Sequence, residues 1–174
     1  CLSYLFLETK NSSSDINDIV IDKSPVIGNS FKDVQLLDRK DNTIAARINF
    51  GSFSEIDDDL QMVEMDANPY VTPQFSNNWM RTGTSGNESF QLTINSKSLI
   101  LVFKDSGNSE FGTADVYVDG QHIITADPHE VNWTHCNAVI LYQENVCREH
   151  QVEIKMAPKN EDKCFTILGF GYTL

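Results

Sequence analysis

The sequence lacks several features that mark common functional classes. Its four cysteines, at positions 1, 136, 147 and 164, form no C-x-x-C pair, so the main signal of a zinc finger or a redox disulfide is missing. We expect free, partly buried thiols, although an even count permits two disulfides. No apolar run approaches the ~18–20 residues of a membrane-spanning helix. The G-x-S-x-G and G-D-S motifs of serine hydrolases are absent as well, which argues against a hydrolase of that kind.

Positive charge is also scarce. The chain has 13 Lys and Arg residues against 25 Asp and Glu residues, a formal net charge of −12. Such a chain repels phosphate groups, so we expect neither a nucleic acid nor an anionic membrane as its partner. Neutral glycans, metal ions and basic protein surfaces remain possible partners.

Helical periodicity is missing after residue 45, where the period is two. The segments SFQLTIN, ADVYV and HQVEIKMA alternate apolar and polar residues, whereas SLILVFKDS and NAVILYQ are continuous apolar runs. Eight or nine short strands separated by turn residues predict an all-β fold, an antiparallel β-sandwich or jelly roll. The polar residues before it predict a linker or the end of a preceding domain over 1–30, including a helical remnant in CLSYLFLETK, and the sandwich over 31–174. A first residue that is Cys rather than Met is typical of a piece of a longer protein.

The segment FGTADVYVDGQHI predicts a β-hairpin. Asp119 and Gly120 are typical of a two-residue turn whose residues have positive φ. The register then places Val116 and Val118 on the core side with Ile123, and Tyr117 opposite His122 on the outer side. The expected pairs are Val118–Gln121, Tyr117–His122, Val116–Ile123, Asp115–Ile124 and Ala114–Thr125. Asp119 is thus interpreted as a turn former, and Tyr117 and His122 become minor candidates for ligand contact.

Carboxylates gather in the segment SEIDDDLQ. Glu55, Asp57, Asp58 and Asp59 supply the hard oxygen ligands that Ca²⁺ prefers. The pattern of an EF-hand is absent, so the segment indicates either a solvated acidic loop or a structural Ca²⁺ site. No other cofactor is expected.

Two tryptophans lie in polar loops. Trp79 is in FSNNWMRTG and Trp133 is in HEVNWTHCN. Flat aromatic rings beside short polar side chains suit sugars, which present apolar C–H faces and rings of hydroxyls. The alternative is that each tryptophan closes one end of the sandwich, because tryptophan is usually well buried. The full set of predicted ligand-binding residues is Trp79, Trp133, Tyr70, Phe75, Asn78, Arg81, Asn132, His135, Tyr117 and His122.

Four segments together carry a family resemblance: NNWMRTGTSGNESFQLTINSKSLILVFKDS, FGTADVYVDGQHI, VNWTHCNAVILYQENVCREHQVEIKMA and FTILGFGY. They resemble the C-terminal β-sandwich domain appended to SGNH/GDSL-type carbohydrate esterases of gut and rumen Clostridia. The resemblance covers roughly residues 45–173 and implies a jelly roll that serves as a carbohydrate-binding or accessory module, often with a structural Ca²⁺. None of the hydrolase's own motifs is present, so the chain itself is expected to be inactive.

The sequence therefore predicts a non-catalytic module that binds a plant β-glycan, such as xyloglucan, xylan, mannan or a β-glucan. Its partners would be that polysaccharide and the catalytic domain of the same polypeptide, which favours a secreted or cell-surface location. The alternative is a structural domain that packs on the esterase and shapes its active site without binding glycan. A third alternative, a β-sandwich hydrolase or lyase that uses the acidic loop, has little support in the motifs.

Overall fold

The fold is all-β, as predicted. A computed structural model describes residues 29–40, 45–59 and 75–174, and these contain eight strands and no helix. The described residues accordingly hold no helix that could cross a membrane. The strands are β1 (Gln35–Leu37), β2 (Ala46–Asn49), β3 (Trp79–Arg81), β4 (Phe90–Asp105), β5 (Ala114–Val118), β6 (Gln121–Ala126), β7 (His135–Met156) and β8 (Phe165–Thr173). The predicted linker and helical remnant lie outside the described residues, and the domain boundary at residue 30 stays a prediction.

Two long strands build the sandwich. The predicted separate strands in SFQLTIN and SLILVFKDS are both parts of β4, and those in NAVILYQ and HQVEIKMA are both parts of β7. β4 and β7 pair along their whole length, but their register shifts between Ser96 and Ser98 and again between Leu99 and Ile100. Such bulges bend strands and let one strand serve two sheets.

The bend divides the strands into two antiparallel sheets. Sheet one has the order β6–β5–β7–β4–β2 and uses the second half of β7 and the first half of β4. Sheet two uses the first half of β7 and the second half of β4, followed by β8, whose other edge pairs with β1 and β3. The antiparallel β-sandwich predicted from the sequence is therefore confirmed.

The core lies between the two sheets. Phe90 of sheet one packs against Trp79 and Phe170 of sheet two, with ring centroids 5.2 and 5.8 Å apart. Alternation along the strands buries one face of each sheet, as for Ala114, Val116 and Val118 on β5. Because β4 and β7 fold back at the bend, their free ends and most of the connecting loops lie together at the opposite end. We call this the loop end.

The hairpin between β5 and β6 forms, but its register was only partly predicted. Asp119 and Gly120 have φ values of 51° and 79°, as the turn requires, and the pairs Val118–Gln121 and Tyr117–His122 are confirmed. A bulge between Val116 and Tyr117, where Ile123 of β6 is left unpaired, then shifts the pairing by one residue. The observed pairs are Val116–Ile124, Asp115–Thr125 and Ala114–Ala126. The bulge turns Ile123 out to solvent, and its predicted place in the core was wrong.

Candidate functional site

Trp79 is a core residue. Its side chain is 1% exposed and lies against Phe90 and Phe170. The neighbouring Asn78 is also buried, and its amide is occupied by the backbone of Asp57 and the carbonyl of Phe75. A sugar cannot reach either side chain, and we correct their predicted role as ligand-binding residues. Of the two interpretations of Trp79, the one that places it inside the sandwich is right.

Arg81 holds loops together instead of presenting its guanidinium to solvent. Its Nε donates to the carbonyl of Gly86 at 3.2 Å and its Nη2 donates to Asn87 Oδ1 at 2.9 Å. The same guanidinium also donates to the carbonyls of Glu161 and Lys163. Burial lowers the pKa of Arg81, which nearby carboxylates only partly oppose. Arg81 therefore joins the loop 82–89 to the loop 157–164, and its predicted contact with sugar hydroxyls is corrected.

The loop 82–89 forms one wall of an open groove at the loop end. The opposite wall is the segment after β2. Gly51 has φ of 49°, and a Cβ there would lie 2.3 Å from the carbonyl oxygen of Ser89, so only glycine fits. We call this the hydroxyl groove, and its lining residues are Gly51, Ser52, Ser54, Glu55, Thr82, Thr84, Ser85, Gly86 and Glu88.

The polar groups of the hydroxyl groove are connected to each other. Ser52 Oγ donates to Glu88 Oε2 at 2.5 Å and accepts from the Glu88 backbone N–H at 2.9 Å. The hydrogen bond from Ser52 is the main cause of a lowered pKa for Glu88. On the other wall, Thr82 Oγ1 lies 3.3 Å from Thr84 Oγ1 and 3.0 Å from Ser85 Oγ. Hydroxyls and carboxylates without a lysine or arginine suit a neutral ligand that is rich in hydroxyl groups.

A second groove continues from the first across Thr82 and Thr84, which line both. It is closed on its far side by Glu110 and the segment Asp162–Cys164. Glu110 belongs to the loop 106–113, which packs against the loop of Trp133. In that contact Gly107 lies against the carbonyl of Asn132, with no room for a Cβ. The loop end is thus a continuous surface from the hydroxyl groove to Trp133.

Trp133 lies at the other extreme of this surface. Its side chain is 56% exposed, so one predicted aromatic platform is accessible. Asn132 is exposed beside it, and His135, at the start of β7, is half-buried. The structure therefore brings together Trp133, Asn132 and His135 at the loop end and separates them from the buried Trp79.

Tyr117 and His122 occupy a different surface, the outer face of sheet one. Their rings meet edge to face with centroids 5.2 Å apart, and Lys155 Nζ lies 4.6 Å from the centre of the Tyr117 ring. Asp115 accepts a 2.6 Å hydrogen bond from Thr125 and lies 3.4 Å from His122. The lysine covers part of the ring that a sugar would need, so this face is the weaker candidate for aromatic stacking.

Two aromatic residues of the predicted ligand-binding set remain, Tyr70 and Phe75. Tyr70 lies outside the described residues. Phe75 is half-buried with φ of 55°, and its carbonyl accepts a hydrogen bond from the Asn78 amide.

The acidic loop does not gather its carboxylates into the predicted calcium site. Asp57 is buried and accepts hydrogen bonds from Lys104 at 3.0 Å and Thr166 at 2.8 Å. Asp58 and Asp59 are exposed. The Asp59 carbonyl accepts a hydrogen bond from Lys104 at 2.8 Å, and the Asp59 carboxylate lies 3.7 Å from the same ammonium group. Within residues 29–40, 45–59 and 75–174, no three or more His, Cys, Asp or Glu side chains are grouped to hold a metal ion. In the described structure Glu55, Asp57, Asp58 and Asp59 are not grouped as one ligand set, because Asp57 is paired with the buried Lys104. A structural Ca²⁺ stays a prediction.

Sequence reasoning missed a pair formed by the buried His150 and the exposed Asp119, at the far end from the grooves. His150 Nδ1 lies 2.8 Å from Asp119 Oδ2, while Asp119 Oδ1 accepts from the Gln151 N–H at 2.8 Å. Partial burial opposes ionisation of Asp119, but these hydrogen bonds and the neighbouring positive charges lower its pKa on balance. Asp119 is therefore more than a turn former. Nothing local in the sequence links it to a residue 31 positions away.

No family model matches the chain, and no curated protein matches it either. Among solved structures, it is similar to a two-domain esterase active on acetylated mannans, co-crystallized with mannopentaose. The TM-score is 0.60 at 13% identity, over 98% of this chain and 43% of that one. A second structure described as a two-domain esterase active on acetylated mannans gives a TM-score of 0.56 at 13% identity, over 99% and 45%. A family 35 carbohydrate-binding module from an environmental isolate gives 0.49 at 15% identity, over 78% and 90%.

The first two likenesses extend over almost the whole of this chain, which spans less than half the length of either esterase. At such low identity they establish a shared fold. They therefore confirm, as to fold, the resemblance to a sandwich domain attached to carbohydrate esterases.

Proposed function

We propose that this chain is a non-catalytic carbohydrate-binding module of a polysaccharide-degrading enzyme, and that it binds a neutral plant β-glycan at its loop end. The observation that carries the proposal is the hydroxyl groove, on a fold shared with part of an esterase active on acetylated mannans. Mannan becomes the first glycan to test, followed by xylan, xyloglucan and β-glucan. Such a module would act outside the cell, secreted or on the cell surface.

The charge of the groove supports a neutral ligand. Glu55 and Glu88 line it without a lysine or arginine, and the chain as a whole has a net charge of −12. Both repel an acidic polysaccharide such as a polyuronate. Neutral sugars instead offer hydroxyls that donate to the two carboxylates and exchange hydrogen bonds with the serine and threonine hydroxyls.

Among the described residues of the loop end, Trp133 is the predicted ligand-binding aromatic residue that would supply stacking. Stacking of a flat ring on an exposed aromatic side chain contributes ~1–3 kcal/mol in the comparable case of nucleic-acid bases. With one tryptophan and a few solvent-exposed hydrogen bonds of about 1 kcal/mol each, we expect dissociation constants on the order of 0.1–1 mM.

The burial of His150 in its pair with Asp119 supports the absence of catalysis. His150 Nε2 faces Glu144 at 3.8 Å and has no hydrogen-bond partner, and the residue is almost fully buried. A nucleophilic mechanism needs an accessible hydroxyl or thiol at that nitrogen. The pair instead fastens the β5–β6 turn to β7.

Affinity gel electrophoresis on the four glycans tests the proposal. The chain should be retarded by at least one of them, and Trp133→Ala or Thr84→Val should reduce that retardation. Val146→Ser, on an exposed part of β7 away from the loop end, is the matched control and should migrate like the parent. Equal migration of the chain with and without every glycan would refute the proposal.

A second candidate function is structural. Almost the whole chain superposes on one part of a two-domain esterase, which favours a domain that packs on an esterase and shapes its active site. In that case titration of the chain with glycans would be flat, while deletion of the domain from its parent polypeptide would raise the KM of the esterase.

A further inference from the structure

The carboxylate of Glu88 has a fixed position in the hydroxyl groove. Glu88 is joined to Ser52 by its backbone as well as its side chain, because the Ser52 N–H donates to the Glu88 carbonyl at 3.1 Å and the Glu88 N–H donates to Ser52 Oγ. Ser52 Oγ in turn donates to Glu88 Oε2. Gly86 packs on the same oxygen, since a Cβ there would lie 2.4 Å from it. Oε2 is therefore covered, and within the described part of the chain no hydrogen bond reaches Oε1.

Glu55 brings a second carboxylate to the groove from the opposite wall. Arg39 holds the backbone of this wall, since its guanidinium donates to the carbonyls of residues 53–55 at 2.9 to 3.1 Å. The Glu55 backbone also exchanges two hydrogen bonds with that of Met80. The Glu55 side chain is exposed, and among the described residues it accepts one long hydrogen bond, 3.3 Å from Ser54 Oγ. Its carboxylate thus keeps acceptor positions for a ligand on a fixed backbone.

The hydroxyl groups of the groove direct most of their hydrogens into the chain. Ser52 and Ser54 each donate to one of the two carboxylates. Thr82 Oγ1 is in hydrogen-bond distance of both Thr84 Oγ1 and Ser85 Oγ, and each contact uses one hydroxyl hydrogen. Several backbone N–H groups of the lining also donate within the chain, those of Gly51, Ser52, Glu55, Thr82, Ser85 and Glu88. The groove therefore offers a ligand more acceptors than donors.

We propose that the hydroxyl groove selects glycans with free hydroxyl groups over the same glycans in O-acetylated form. The inference rests on the proposed function and concerns the same groove. A free sugar hydroxyl donates its hydrogen to a carboxylate oxygen, which makes a strong, charge-assisted hydrogen bond. An acetyl ester has no donor, and it brings a carbonyl oxygen, itself an acceptor, towards the two carboxylates. Glu88 and Glu55 are thus the residues that determine this specificity.

NMR titration of the ¹⁵N-labelled chain tests the selectivity with two probes, mannopentaose and mannopentaose O-acetylated with acetic anhydride. The parent should bind the acetylated probe at least about tenfold more weakly, because hydrogen bonds to charged acceptors are lost. Glu88→Gln keeps the shape of the side chain and adds an amide that donates to an ester carbonyl, so the ratio of the two affinities should fall to about twofold. Glu149→Gln, at an exposed position of β7 outside the groove, is the matched control and should keep the ratio of the parent.

Equal affinity of the parent for the two probes, or a preference for the acetylated one, would overturn the inference and leave the proposed function standing. A ratio that persists in both Glu88→Gln and Glu55→Gln would also overturn it, since the preference would then come from the bulk of the acetyl group. If mannopentaose does not bind, the same pairs of xylan, xyloglucan and β-glucan oligosaccharides take its place. Absence of binding by all of them would refute the proposed function, and the inference with it.

Discussion

Replacing Arg81 by methionine tests how the hydroxyl groove is held. Methionine keeps an unbranched apolar stem of similar reach but has no donors. The change removes the four hydrogen bonds that join the loop 82–89 to the loop 157–164. We therefore expect loss of stability together with a groove wall that is no longer fixed.

The expected loss in the free energy of unfolding depends on the four oxygen atoms that accept hydrogen bonds from Arg81. A hydrogen bond with one charged partner contributes about 1.5–3 kcal/mol, so four would total about 6 kcal/mol at the lower value. Gly86, Asn87 and Glu161 are exposed and their oxygens regain water in the variant, whereas Lys163 is half-buried. Halving the total for this rehydration gives an expected loss of ~3 kcal/mol in the free energy of unfolding.

Urea unfolding measures this loss. With a slope of about 2 kcal/mol per molar urea, Arg81→Met should lower the midpoint by ~1.5 M. The matched control is Arg47→Met, because Arg47 makes an exposed ion pair with Glu149 at 3.2 Å that is worth about 0–1 kcal/mol. If Arg81→Met lowers the midpoint no more than Arg47→Met does, the role assigned to Arg81 is wrong.

Two further predictions concern charged side chains, the buried Asp57 and the exposed Asp119. Asp57→Asn removes the buried carboxylate 3.0 Å from Lys104 Nζ, where the two side chains are 4% and 2% exposed, and leaves Lys104 with the exposed carboxylate of Asp59 at 3.7 Å. We expect a loss of about 3–5 kcal/mol in urea unfolding; a loss below that of Thr166→Val would contradict this. Asp119 has a lowered pKa in the folded state, so the unfolded chain binds its proton more readily. The stability from Asp119 is therefore present above about pH 4 and is lost as the pH falls through the folded-state pKa. Thermal unfolding between about pH 5 and pH 2 should show a smaller loss for Asp119→Asn than for the parent, and equal slopes would refute this.

The sequence predicts the class of fold because its evidence is local. Alternation of apolar and polar residues identifies β4, β5 and the second half of β7, and Asp119-Gly120 identifies a turn. The local sequence does not show that consecutive strand segments form one bent strand, because the bulges of β4 and β7 depend on pairing with distant residues. The bulge between Val116 and Tyr117 could not be predicted for the same reason, and it moves Ile123 from the predicted core position to the surface.

The candidate site was less predictable than the fold. Trp79 and Trp133 have similar polar neighbours in sequence, but Trp79 lies on a three-residue strand whose inner side faces Phe90. Which side of so short a strand is buried depends on the second sheet, which the local sequence does not specify. The hydroxyl groove was missed because RTGTSGNES indicates only a loop. Arg81 fixes the position of the loop 82–89, which forms one wall of the groove. The carbonyl acceptors of Arg81 on Glu161 and Lys163 lie about eighty residues further along the chain.

Titration of the ¹⁵N-labelled chain with mannopentaose, followed by NMR, tests the central claim that a neutral glycan binds at the loop end. We predict saturable shifts at the Trp133 indole N–H and at the backbone amides of Thr82, Thr84 and Ser54, with an affinity on the order of 0.1–1 mM. Trp133→Ala should weaken the binding about tenfold, and Tyr117→Ala should not change it. Shifts confined to Tyr117 and His122, or no shifts with mannopentaose or with xylan, xyloglucan and β-glucan oligosaccharides, would contradict the account.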